Sequence, residues 1–303
     1  MNSREQNFIS AVVYADKNGQ TTGKFITELA GCLNEHFMHH EIIVIVSGET
    51  GSVRKDLQEL SEQAGISGQV SIINMSLKQT REQCMNAGLD MSIGDYVYEF
   101  DSAAGGYDLG LVWKAYQSAL QGNDIVSVCP RHENFMSRMF YKVFNANSSS
   151  LYPLRTNAFT LISRRALNRA HNASMNLAYR KAVYASTGLK MSVIEFDGEV
   201  MNSEPDKLNL AVDSLVLYTA FGYRFSLRFA ALMMSVTLAE LAYTLTVWLT
   251  GNPVSGWTTT MFVLTFGLTG IFGVLAIILK YLALIIRLSV NKQNYLVENI
   301  EKV

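Results

Sequence analysis

Residues 86–106 read NAGLDMSIGDYVYEFDSAAGG. KQTREQCMNAGLDMS (78–92) has the composition of a helix, and DYVYEF (95–100) is an aromatic and β-branched run typical of a buried strand. The strand ends on Asp101, and a small, glycine-loosened segment follows it. A helix that feeds such a strand through Gly94 is half of a βαβ unit, and the same rhythm runs to both sides. FISAVVY (8–14), EIIVIVS (41–47), QVSIINM (69–75) and NDIVSVCP (123–130) read as strands. KFITELAGCLNEHF (24–37), VRKDLQELSEQAG (53–65) and LGLVWKAYQSALQG (109–122) read as the helices between them, two of them closing on glycine. This alternation predicts an α/β domain, Rossmann-like, with a mainly parallel sheet and helices on both faces.

Ligands of such sheets bind at the carboxyl ends of the strands. Four of those ends are Tyr14-Ala15-Asp16, Ser47-Gly48-Glu49, Asp101-Ser102-Ala103 and Pro130-Arg131. Neither G-x-G-x-x-G nor G-x-x-x-x-G-K-[ST] occurs, so dinucleotide and P-loop chemistry have no motif here. A formal net charge of −1 gives no global signal for nucleic acid. Cys32, Cys84 and Cys129 lack metal-ligand spacing and read as reduced thiols. His36, His39 and His40 straddle a helix end and read as surface groups rather than ligands.

Of the 303 residues, 49% are hydrophobic, and the excess lies near the C-terminal end. No charged residue falls between Leu241 and Leu279. GNPVSG (251–256) is turn chemistry and leaves two apolar spans, 229–250 and 257–279, each long enough to cross a hydrocarbon core of about 30 Å. The polar N-terminus lacks a secretory signal. Arg224 and Arg228 precede the first span, and Lys280, Arg287 and Lys292 end or follow the second. The positive-inside rule then predicts a multi-pass membrane protein with two spans, its N-terminal domain and C-terminus cytoplasmic and its short loop outside. The organisation expected is an α/β domain over 1–206, an amphipathic juxtamembrane helix over 207–228, the two spans, and a basic tail over 280–303. Glu240, inside the first span, is expected to be neutral and bonded to a hydroxyl such as Thr265 or Thr269, or else to face a partner.

The region 131–206 is rich in arginine: Arg131, Arg138, Arg155, Arg164, Arg165, Arg169 and Arg180. Guanidinium groups match phosphate oxygens, so such a set near a membrane suits phosphate or anionic lipid, against the plainer reading of solvated charge.

The order of these parts resembles the polyprenyl-phosphate glycosyltransferases of glycosyltransferase family 2, which include dolichol-phosphate mannose synthase. The pattern Asn86-x-Gly88, Gly94-Asp95 and a strand ending in Asp101 is similar to theirs, as are GNDIVSVCPR (122–131), FTLISRRAL (159–167) and IIRLSVNKQNYLVE (285–298). The resemblance implies a GT-A domain followed by a C-terminal two-helix transmembrane hairpin. It implies transfer of a sugar from a nucleotide sugar to a polyprenyl phosphate lipid at the cytosolic face, for cell-surface polysaccharide synthesis, by a homo-oligomer. It places Tyr14, Asp16, Ser47 and Asp101 at the nucleotide, with Asp101 also the catalytic position and the ligand of Mg2+ or Mn2+. It sets Arg131, with Arg138, toward diphosphate or lipid phosphate. The departures fall on the chemistry. The metal motif Asp-x-Asp is Asp101-Ser102-Ala103, the paired aspartates that end the second strand are Val46-Ser47, and the later acid is Ala158. Glu99, two residues back on the same strand face, offers a shifted metal site with Asp101. Three readings follow: an active glycosyltransferase with an altered site, an inactive relative serving as a scaffold or regulatory subunit, and a lipid-phosphate binding module without transfer.

Overall fold

The computed structural model describes residues 4–15, 19–47, 56, 59, 65–66, 68–76, 79–103, 106–148, 150–173, 179–198, 221–251, 255–289 and 297–302. The chain divides into two compact units, Met1–Lys207 with Asn291–Val303, and Leu208–Val290.

The first unit is built on one sheet. Its strands are β1 (Ile9–Tyr14), β2 (His40–Ser47), β3 (Val70–Met75), β4 (Tyr96–Phe100), β5 (Ile125–Pro130), β6 (Phe159–Ser163), β7 (Met191–Phe196) and β8 (Val297–Lys302), in spatial order β7-β5-β6-β4-β1-β2-β3-β8. β1 to β4 pair in parallel, and so do β5 and β7. β6 runs antiparallel between β4 and β5, and β8 runs antiparallel along β3. The expected parallel sheet is therefore present, with three antiparallel pairings added to it. The chain leaves β1 toward β2 and β3, then returns to lay β4 on the other side of β1. That reversal is a topological switch point, and it opens the carboxyl ends of β1 and β4 to a ligand.

The central strands are buried on both faces, which accounts for their unbroken apolar composition. Leu29, Leu33, Tyr98, Phe100, Tyr116, Phe159 and Leu161 belong to one core cluster on one side of the sheet. The helices of this unit are α1 (Gly19–His36), α2 (Arg81–Met91), α3 (Gly110–Leu120), α4 (Phe135–Asn147), α5 (Arg164–Ala173) and α6 (Arg180–Ser186). α2 opens with a capping box: the Thr80 hydroxyl accepts from the Gln83 amide at 3.3 Å, and the Gln83 side chain accepts from the Thr80 amide at 3.0 Å. Of the helix expected over 53–65 only residues 56, 59 and 65 are described, the first two of them helical, and the site residue Asp16 lies outside the described residues.

Two glycines of the opening stretch are there for want of a side chain. A Cβ on Gly88 would stand 2.5 Å from Val12 Cγ1 and 2.7 Å from Ile45 Cδ1, so α2 lies directly on β1 and β2. A Cβ on Gly94 would stand 2.5 Å from the Ser10 backbone nitrogen, which cannot move aside. The Gly94 amide donates to Ser10 Oγ at 2.8 Å, and that hydroxyl donates to Glu41 Oε1 at 2.6 Å. This contact sets the level at which β4 enters the sheet, and hence where Asp101 leaves it.

The second unit holds α7 (Phe221–Thr250) and α8 (Trp257–Ser289). Both are long and apolar enough to cross a membrane, over Arg224–Thr250 and Trp257–Leu282. Large apolar side chains such as Phe229, Leu232, Phe266 and Ile277 are exposed, unlike those of a buried core helix. The helices meet through small polar groups: Thr269 Oγ1 lies 3.3 Å from Thr237 Oγ1, and Thr265 is buried beside them. Thr269 Oγ1 also donates to the Thr265 carbonyl at 2.8 Å, so the hydroxyl expected to meet Glu240 is engaged by other threonines. The juxtamembrane helix expected over 207–228 is described only from Phe221, where it is continuous with α7. The tail expected over 280–303 is divided between the end of α8 and strand β8.

Gly94→Ala forces a methyl onto the Ser10 backbone. It should destabilise the full chain in detergent by about 2 kcal/mol, read as a lower unfolding midpoint in denaturant. Gly88→Ala, which meets side chains able to shift, should cost less.

Candidate active site

The carboxyl edge of the sheet brings together residues far apart in the chain. Asp101 follows β4, Glu99 lies two residues earlier on it, Glu82 sits in the first turn of α2, and Arg180 and Lys181 begin α6. Arg180 is at the centre, with 1% of its side chain exposed. Its Nη1 lies 3.0 Å from Glu82 Oε2 and its Nε 3.1 Å from Glu99 Oε2, while its Nη2 donates to Asp101 Oδ1. The Arg180 amide also donates to Glu82 Oε2 at 3.2 Å. Tyr184, one helical turn on, donates its hydroxyl to Glu99 Oε1 at 2.6 Å. Lys181 Nζ stands 3.6 Å from Asp101 Oδ2. One planar guanidinium thus ties three carboxylates from two elements, a geometry that lysine cannot reproduce.

Charge and burial set the ionisation of this group. Burial pushes Glu82 up to about 7 against the pull of Arg180. Burial also raises Glu99, against Arg180 and the Tyr184 hydrogen bond. Burial acts the same way on Asp101, but Arg180, Lys181 and Arg81 together hold it below its ordinary value. Burial thus raises two of the three carboxylates that face the Arg180 and Lys181 cations, Glu82 and Glu99, and the cations hold the third, Asp101, down.

The other residues expected at the nucleotide are positioned as follows. Tyr14 ends β1 half-buried, with the Arg81 guanidinium 5.3 Å above its ring. Ser47 ends β2, and its hydroxyl accepts from the Gln79 amide at 3.0 Å and lies 3.3 Å from the Gln79 carbonyl. It therefore fastens the turn that leads into α2. Arg131 follows β5 and is engaged by Asp197 at 2.9 Å and Glu195 at 3.9 Å. Arg138 is exposed on α4, its guanidinium 5.9 Å above the Phe135 ring. The structure thus gathers Tyr14 and Asp101 around Arg81, while Arg131 is held by the acids at the end of β7.

Both oxygens of Glu99, the partner expected for a shifted metal site, are engaged by Arg180 and Tyr184. The arginines of 131–206 differ in their settings: Arg180 is buried, Arg164 donates to the Gly94 carbonyl at 2.9 Å, and Arg165 pairs with Asp124. Ala103 and Ala158, where the resemblance leads one to expect acids, are buried methyl groups of the main core cluster. Sequence reasoning missed Arg180, Lys181, Tyr184 and Glu82 as site residues. A signal did exist: in AYRKAVYAS (178–186) a charged pair interrupts an otherwise apolar helix, and such a pair must find partners inside.

Two predictions follow from this geometry. Arg180→Met leaves the buried carboxylates of Glu82 and Glu99 without their cation and should cost on the order of 3–5 kcal/mol, seen as a large drop in the thermal midpoint, with Arg180→Lys only a partial rescue. Glu82 titrates higher in the folded chain than in the unfolded one, so its contribution to stability is full at acid pH and lost as pH rises toward about 7. The unfolding midpoint should therefore fall between mildly acid and mildly alkaline pH, and Glu82→Gln should flatten that slope, as thermal melts across this range would show.

No family model matches the chain. It is 26% identical over 171 residues to the uncharacterized glycosyltransferase sll0501 of Synechocystis sp. (strain PCC 6803), covering 53% of this chain and 51% of the relative. The chain thus spans about half the length of that curated relative. Among solved structures it is similar to mannosyl-3-phosphoglycerate synthase from Rubrobacter xylanophilus, with a TM-score of 0.50, 14% identity, and coverage of 69% of this chain and 72% of that one. A complex of glucosyl-3-phosphoglycerate synthase from Mycobacterium tuberculosis with Mn2+, UDP-glucose and phosphoglyceric acid has a TM-score of 0.47, 14% identity, and coverage of 69% and 78%. The relative's name supports a transferase reading, and the likeness to the mannosyl-3-phosphoglycerate synthase structure shows for the first unit the mixed α/β fold of GT-A glycosyltransferases.

Proposed function

We propose that this chain is a membrane-anchored glycosyltransferase that takes a sugar from a nucleotide sugar and transfers it to a polyprenyl phosphate at the cytosolic face, in the synthesis of a cell-surface glycan. The observation that carries the reading is the cluster at the switch point: Asp101, at the end of β4, is ringed by Arg180 and Lys181, with Arg81 over the neighbouring Tyr14. A departing nucleoside diphosphate carries away negative charge, and fixed cations at the strand ends stabilise that charge as it develops. In the transfer, a phosphate oxygen of the acceptor bonds to the anomeric carbon while the bond from that carbon to the diphosphate oxygen breaks. The acceptor oxygen is already anionic, so the step needs no base to remove a proton. Ala158, where the family carries an acid, is compatible with such an acceptor.

Two features support the lipid acceptor. α4 exposes Phe135, Met136 and Met139 beside Arg138 and Lys142, a composition suited to the boundary between headgroups and acyl chains. The second unit supplies two helices of membrane-spanning length. The chain returns to the sheet unit through β8 after the second unit, which supports a hairpin in which α8 recrosses a membrane crossed by α7. With Arg224, Arg228 and Lys280 at the open ends, this supports a cytoplasmic sheet unit and an external turn at 251–256.

A binding-only relative is the second reading, and one observation favours it: both oxygens of Asp101 are already engaged by cations of the chain itself. Incubation of the detergent-solubilised full chain with polyprenyl phosphate and a panel of UDP- and GDP-sugars separates the two. The expected result is a glycosylated lipid phosphate, identified by mass spectrometry, with one donor. Nucleotide binding without transfer to any lipid phosphate would overturn the enzymatic reading in favour of the second. Phe135→Glu together with Met139→Glu should cut transfer to the lipid by about tenfold or more while leaving nucleotide affinity unchanged. A cysteine introduced by Ser255→Cys should react with an impermeant thiol reagent applied from outside the cell; protection there with labelling from the cytosolic side would overturn the topology.

A further inference from the structure

A divalent cation on the donor diphosphate would need oxygen ligands from the protein at the end of β4. The residues present do not fit one. Ala103 offers a fully buried methyl where the second carboxylate would be. Asp101 Oδ1 accepts from Arg180 Nη2, and its Oδ2 faces Lys181 Nζ at 3.6 Å. Glu99 Oε2 is held by Arg180 at 3.1 Å and its Oε1 by Tyr184 at 2.6 Å. Among the described residues no three side chains of metal-ligating type converge. An incoming ion would have to expel a guanidinium with 1% of its side chain exposed, which would leave that cation buried and unpaired.

We propose that Arg180 and Lys181 take the electrostatic place of the divalent cation, so that this chain binds the diphosphate of its donor without metal. The inference rests on the nucleotide-sugar reading above and specifies how that site works. The two cations divide the task. Arg180 is enclosed and neutralises the carboxylates that would otherwise repel a diphosphate. Lys181 is more accessible, with 18% of its side chain exposed, and it lines a cavity of about 180 Å3 with Arg155, Asn157, Thr160 and Tyr184. One wall of that cavity is a row of paired strand residues, Thr160 with Ser127 and Ser127 with Val193, and Glu99 is the strand partner of Thr160 beyond it. Asn157 donates to Thr160 Oγ1 at 2.6 Å, while its Oδ1, although buried, has no hydrogen-bond partner. The cavity therefore joins a cationic ammonium to an unused acceptor, the pairing that a phosphorylated, hydroxyl-bearing ligand requires. Lysine suits the role because it binds phosphate as a point charge from a flexible stem.

Calorimetric titration of the detergent-solubilised full chain with UDP and with GDP tests this, in excess EDTA and again in Mg2+ or Mn2+. The expected result is binding of one nucleotide with the same dissociation constant, within about twofold, in both media. Lys181→Met should weaken that binding by about tenfold or more in both media, and Lys181→Arg should retain most of it. The thermal midpoints of these two variants should stay near that of the parent chain, because Lys181 lies at the margin of the cluster. Binding that occurs only with metal, or a Lys181→Met variant that folds and binds as the parent does, overturns the inference and leaves the nucleotide-sugar reading standing. Binding of neither nucleotide in either medium overturns the nucleotide-sugar reading itself, and this inference with it.

Discussion

Arg180 holds three carboxylates that the sheet and α2 would otherwise leave buried with nothing to oppose them. Each carboxylate comes from a different point in the chain, and each would cost several kcal/mol to bury alone. The guanidinium meets them because its donors lie in one plane and diverge. Such an arrangement adds little net stability over an apolar one of the same shape, since the desolvation of every member offsets the attraction. What it fixes is position. The first turn of α2, the end of β4 and the start of α6 can come together at this spacing only with the cation between them. The edge of the sheet where a ligand would enter is therefore defined by a charge network and not by apolar packing.

The support beneath that network is steric. β4 reaches its level in the sheet because Gly94 can lie against the Ser10 backbone, and α2 reaches its own because Gly88 can lie against Val12 and Ile45. The capping box at Thr80 starts α2 at the residue that brings Glu82 under Arg180. Ser47 fastens the preceding turn through Gln79. Ser47 at this strand end is thus a structural tie, and the cations at this edge come from α6.

The strands β1 to β5 were legible in the sequence because they are covered on both faces, and burial leaves a run of apolar residues that few other structures explain. β6, β7 and β8 were not read as strands. FTLIS is short, MSVIEF and VENIEK are mixed in polarity, and the last two lie at the sheet's edges, where one side has no neighbour to impose a pattern. The position of Asp101 at a strand end was legible for the same reason as the strand. Its partners were not, since Arg180 and Lys181 lie on a short helix about eighty residues further along the chain, and local composition does not record a contact made at that separation. Arg131 and Arg138 read toward phosphate from the resemblance and from their charge, and neither reveals that Asp197 and Glu195 already engage the first of them. Glycine positions were legible as a pattern, while the reason for them, a backbone or side chain within 3 Å of a missing Cβ, lies entirely in three dimensions.

β8 carries a consequence for the order in which the protein is made. It pairs with β3, a strand that leaves the ribosome more than two hundred residues earlier. Everything in the second unit is synthesised between the two. The outer edge of β3 therefore stays open while α7 and α8 are translated, and an open edge is a template for any extended chain nearby. Only when the last strand arrives is that edge covered. Closing so long a loop is slow compared with forming the local βα contacts, so a nearly finished sheet keeps one unsealed side for the time that the second unit takes to be made. Completion of the sheet thus reports that translation has passed the second unit, and a chain stalled within it would be recognisable by the bare edge of β3.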